Sequence, residues 1–154
     1  MANKKTVYIS DQAERIIGND DDRGYLSNRI NSIVMRYGAI CKRDCPEMTK
    51  GEWMACCDVL SSTVRENVSD SQDIARFLWV EIQDAEQDGL GKKWGIECKA
   101  FAGRIKKMPY SSQCSIVEVA SKFWLGHNGL IEDSDQQLEL AGARVKTQNT
   151  EENP

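Results

Sequence analysis

The chain has 154 residues, a formal net charge of −4, 40% hydrophobic and 29% charged residues, and three prolines. That is one domain's length, or a small domain plus a second, with enough apolar side chains for a core. It excludes a uniformly basic nucleic-acid coat, and no apolar run approaches the roughly 18 residues of a membrane span.

The N-terminus, MANKKTVYISDQ, has no apolar block before a small-residue cleavage site, so a cytoplasmic protein away from membranes is expected. Six cysteines with Cys56 and Cys57 adjacent and the rest irregularly spaced do not make a disulfide framework. Charge is uneven: residues 1–45 carry eight bases against six acids, and the remainder carries twelve against eighteen. A net +2 beside a net −6 is a hint that the first part meets a polyanion.

Lys5 to Ile9 reads as one short strand, with Val7 and Ile9 on one face and Thr6 and Tyr8 on the other. Ser10 then caps a brief helix whose stripe is Ala13, Ile16 and Ile17, ended by Gly18-Asn19. After the turn Asp20–Gly24 comes a second helix, capped by Ser27 or Asn28, with Leu26, Ile30, Ile33, Val34 and Tyr37 at helical spacing. Gly38 should end or loosen it near Cys41. No second strand of comparable quality follows. A lone five-residue strand leaves backbone groups unpaired, and an identical antiparallel strand from a second copy is the simplest remedy.

The remainder reads as helical. Thr49-Lys50-Gly51-Glu52 has the capping-box pattern ahead of Trp53, Cys56, Cys57 and Leu60. Further helices are expected over about 71–87, from Trp94 through Cys98, Phe101 and Ile105 to Pro109, and over about 111–125. All four tryptophans fall here, which implies a helical core of its own. From about Glu132 the sequence turns polar, and a disordered tail is expected.

Residues 4–40 resemble the ribbon-helix-helix DNA-binding proteins, the Arc, MetJ and CopG class. The resemblance rests on T-V-Y-I-S, a strand running into a capping serine, and on G-Y-L-S-N-R, a turn glycine before a capping pair. It covers about a quarter of the chain; residues 46–154 resemble only a generic helical bundle. The fold expected is therefore mainly α: a ribbon-helix-helix module over 1–45 (one intermolecular strand plus two helices), an all-α domain over 46–131 and a polar tail over 132–154.

The resemblance implies a homodimer whose two-stranded ribbon lies in the major groove of double-stranded DNA. Lys4, Thr6 and Tyr8 would read bases, and Ser27, Asn28 and Arg29 at a helix start would hold phosphate. Val7, Ile9, Ile16, Ile30, Ile33, Val34 and Tyr37 would form the shared dimer core. Tyr8 is larger than usual for a base-reading position, and Lys5 stands where the family often has an apolar residue. The function implied is transcriptional repression or activation, in the style of a plasmid- or phage-borne regulator. The competing reading is an antitoxin-like or adaptor protein whose helical domain binds a protein partner and whose ribbon only dimerises it.

Other features have ordinary accounts. Cys41 and Cys45 have a spacing that zinc sites use, but adjacent Cys56 and Cys57 point to different sides of a helix, so buried free thiols are expected and no metal. His127 stands alone in a helix-ending Gly-His-Asn-Gly, with no acid, base or nucleophile set beside it. Arg36 reads as a solvated helix residue, and the aromatics Phe77, Trp79, Phe101, Phe123 and Trp124 as core. No enzyme and no cofactor are expected.

Overall fold

A computed structural model describes residues 25–64, 74–126 and 134–147. The described chain is mainly helical: α1 (Tyr25–Asp44), β1 (Glu47–Met48), α2 (Lys50–Val64), α3 (Ile74–Asp84), α4 (Leu90–Trp94), α5 (Cys98–Lys107), α6 (Tyr110–Gly126), α7 (Ser134–Leu140) and β2 (Arg144–Val145). It divides into two compact units, 1–39 and 40–154, with the boundary inside α1 rather than at the expected 45. The expected strand over 5–9 and the first short helix lie outside the described residues.

Helix α1 differs from expectation at both ends. It begins at Tyr25, so Ser27 and Asn28 lie inside its first turn and do not cap it. Gly38 neither ends nor breaks the helix, which runs on to Asp44. One glycine costs a helix only about 1 kcal/mol against alanine, less than the flanking turns contribute.

The second unit starts from a local signal. The Thr49 backbone N–H donates to Glu52 Oε2 at 2.9 Å, and the Glu52 N–H donates to Thr49 Oγ1 at 3.3 Å. This reciprocal bond satisfies two donors that the first turn of α2 would otherwise leave open. Behind it, Trp53, Met54, Ala55 and Cys56 are all buried, so α2 is surrounded rather than amphipathic. It packs on α6 and α3, and α5 packs chiefly on α3. Leu78, Ile82, Phe101, Ile105 and Ile116 meet in the core between these helices.

The helix expected to run through Trp94 to Ile105 is two helices. Gly95 adopts a left-handed conformation (φ 65°) and its N–H bonds the Gly91 carbonyl, which closes α4. The apolar spacing continues across the break, while glycine at positive φ carries no side-chain penalty. Met108 is extended before Pro109, as proline requires of its predecessor, and α6 begins at the next residue.

The polar tail expected over 132–154 is corrected for residues 134–147. Helix α7 buries Leu138 completely, and Arg144–Val145 pairs in parallel with Glu47–Met48. Lys146 N–H donates to the Met48 carbonyl at 2.9 Å, and the Trp53 indole donates to the Arg144 carbonyl at 3.1 Å. The polar composition belongs to a surface element held by Leu138 and Ala141 in the core, by Ala143 and Val145 against it, and by backbone bonds.

Charge also explains how α4 and α5 are placed. Residues 92–107 hold six bases and one acid, directly after an acidic stretch that carries Glu81, Asp84, Glu86 and Asp88. Lys93 and the Trp94 indole both donate to Asp58 of α2, at 2.6 and 2.8 Å. Arg104 of α5 donates to the buried Glu52, and Lys99 lies 3.5 Å from Glu86. Three of the six bases are thus matched to acids of neighbouring elements.

Candidate dimer and nucleic-acid interface

The feature that the helical core leaves unexplained is the surface of α1. Ile30, Ile33, Val34 and Tyr37 recur at three- and four-residue spacing and so share one side of the helix. Ile30 is half-buried, but Ile33, Val34 and Tyr37 are 39%, 59% and 42% exposed. Core helices of this chain do not do this: the stripe of α5 is buried at Cys98, Phe101, Ala102 and Ile105. Full burial of an aliphatic side chain contributes about 1.5–3 kcal/mol, so a row of them in water marks a surface that gains by being covered.

The other side of α1 is mainly polar and cationic, with Met35 exposed among its polar residues. Asn28, Arg29, Arg36, Lys42 and Arg43 are exposed there, and Asp44 is the helix's only acid. Lys42 and Arg43 stand in the last turn, where they complement the negative end of the helix dipole. Arg43 also grips Asp44 at 2.6 and 3.0 Å. That hydrogen bond first, and one from Ser111 second, hold the Asp44 carboxyl down to about 2. With the native value below the unfolded one, whatever this group contributes is present above the ordinary carboxylate range and lost as pH falls toward 2. Ser115, on the buried side of α6, donates to the Cys41 carbonyl and ties the end of α1 to the helical unit.

Of the residues expected to contact DNA, Asn28 and Arg29 are exposed on α1, and Ser27 lies in the same first turn. Lys4, Thr6 and Tyr8, and the inward-facing Val7, Ile9 and Ile16, lie outside the described residues, as does His127. Sequence reasoning missed the Arg104 partner of Glu52 and the role of Asp58 as a shared acceptor. Both join residues tens of positions apart, and neither has a local signature.

Among the described residues no three His, Cys, Asp or Glu side chains are grouped to hold a metal, and every buried polar side-chain atom has a hydrogen-bond partner. Glu52, the one buried carboxylate, is consumed by its capping box and by Arg104. All six cysteines are free thiols, five of them buried and Cys114 half-buried. Burial pushes the Cys45, Cys56, Cys57 and Cys98 thiols up, Cys57 to about 12. Since the thiolate is the reactive form, alkylation at pH 8 is expected to label the half-buried Cys114 and to leave Cys45, Cys56, Cys57 and Cys98 until the protein unfolds. Rapid labelling of Cys56 or Cys57 in the folded chain would contradict this packing. Comparison with family models, with curated proteins and with solved structures gave no match.

Proposed function

We propose that the protein is a homodimeric, sequence-specific DNA-binding regulator, in which residues 1–45 form a ribbon-helix-helix and the ribbon enters the major groove. The observation that carries this reading is the exposed row Ile33 and Val34 on α1, the helix that the module's second helix would be. In such a dimer the row is covered by the same row of a second copy, and the cationic side of the helix is left outward. Lys4, Thr6 and Tyr8 read base edges through the outward face of the strand. Asn28 and Arg29, with Ser27, hold the phosphates that set the register.

Replacing Ile33 and Val34 together by aspartate tests the dimer. Both are exposed in the single chain, so helix content should be unchanged by circular dichroism, whereas sedimentation should shift from dimer to monomer. DNA binding should fall with it by at least tenfold, since a monomer lacks one strand of the ribbon. A variant that stays dimeric would show that α1 does not build the interface. Sequence preference is read separately, by selecting bound fragments from a random duplex pool. An inverted repeat is expected, and Lys4→Ala with Thr6→Ala should abolish its enrichment while the dimer persists.

A further inference from the structure

The outward side of α5 is the most one-signed surface among the described residues. The helix contains four bases, Lys99, Arg104, Lys106 and Lys107, and no acid. Its buried stripe, Cys98, Phe101, Ala102 and Ile105, fixes the opposite side outward, and all four bases are exposed. Between them lie Ala100 and Gly103, and open space surrounds the Gly103 position, so nothing bulky holds a ligand away from the helix.

The intramolecular partners do not use up this charge. Arg104 is committed to Glu52, and Lys99 reaches Glu86 at a loose 3.5 Å with 72% of its side chain exposed. Lys106 lies over the half-buried Trp79 ring at 5.0 Å, a contact that positions the ammonium without neutralising it. Neither Lys106 nor Lys107 has a carboxylate within ion-pair distance among the described residues. With Arg104 and Lys99 matched to acids, the positive charge left for an outside anion on this helix is that of Lys106 and Lys107.

We infer that the outward face of α5 is a second contact surface for the sugar-phosphate backbone of duplex DNA, with Lys106 and Lys107 as its principal phosphate ligands and Lys99 beside them. The assignment of the polyanion to DNA rests on the function proposed above. Flexible lysines around small residues suit a backbone contact that carries affinity and no sequence information. A base-reading surface would instead need side chains carried into a groove on an element that enters it.

The experiment compares full-length wild type with Lys106→Ala/Lys107→Ala, measuring affinity for the selected duplex as a function of salt. Each phosphate contact adds about 0.9 to the slope of log K against log salt. Both subunits of the proposed dimer carry the change, so the double variant should lose four contacts and about 3.6 units of slope, and bind at least about tenfold more weakly near 0.1 M salt with its sequence preference intact. Lys50→Ala/Lys122→Ala removes the same charge from α2 and α6 and should leave the slope unchanged. A double variant with the wild-type slope overturns the α5 surface without touching the ribbon reading, and is the result an acidic protein partner at α5 would give. Loss of slope in a protein whose selection is indifferent to Lys4→Ala/Thr6→Ala supports the α5 surface and sinks the ribbon as reader. A wild type that binds no duplex at low salt ends both.

Discussion

Trp53→Ala is expected to destabilise the helical unit by about 3–5 kcal/mol, the range for emptying an aromatic site in a packed core. Trp53 is fully buried on α2, and its indole N–H does a second job by holding the Arg144 carbonyl at 3.1 Å. Arg144 in turn donates to the Cys45 carbonyl at 3.2 Å, so one side chain couples α2, the end of α1 and β2. Removing the ring should therefore release the last strand as well as lower the urea midpoint. Trp53→Phe separates the two contributions: it keeps most of the bulk, loses the donor, and should cost about 1–3 kcal/mol. Trypsin sensitivity at Arg144 and Lys146 should rise in both variants before global unfolding. An alanine variant within about 1 kcal/mol of wild type, with an unchanged digestion pattern, would show that the C-terminal strand is not held this way.

That coupling also marks where the sequence stops being readable. Several features that close within one turn of chain were legible, though the Gly95 break and the start of α1 were not: the Thr49–Glu52 box starts α2, Gly89 at φ 83° marks the stop before α4, and Pro109 separates α5 from α6. Features that close over long separations were not. Segment 134–147 is polar because most of it faces water, and only the scattered Leu138, Ala141, Ala143 and Val145 tie it to the core. Its pairing with Glu47–Met48 spans nearly a hundred residues and uses backbone groups, which every sequence has. The ion pairs that place α4 and α5 join Asp58, Glu52 and Glu86 to Lys93, Arg104 and Lys99, and only the capping role of Glu52 has a local signature. In the candidate site, the 3.6-residue row on α1 could be read directly, because periodicity is local. What covers that row could not, since a helix stripe looks the same whether its partner is its own core or another chain.

Gly51→Ala and Gly103→Ala, the same chemical change in two helices, are expected to move stability in opposite directions. At Gly51 an added Cβ would overlap the Trp94 carbonyl oxygen and press on Ile96 Cγ2 at 3.4 Å. The obstacle is backbone, so no rotamer change relieves it; either α2 or the end of α4 must shift. Trp94 is also the residue whose indole, together with Lys93, binds Asp58, so a shift there strains two charge-assisted bonds to α2. Overpacking of this kind costs about 1–3 kcal/mol, and the coupled bonds place Gly51→Ala at the upper end. At Gly103 nothing lies within 4 Å of the added methyl group. Alanine there restricts the unfolded chain and favours the helix, which should stabilise by about 0.5–1 kcal/mol. Urea midpoints of the two variants read both signs against one wild-type curve. A neutral Gly51→Ala would mean that the junction after α4 does not rest on the first turn of α2, and the placement of α5 and its lysines would lose its support.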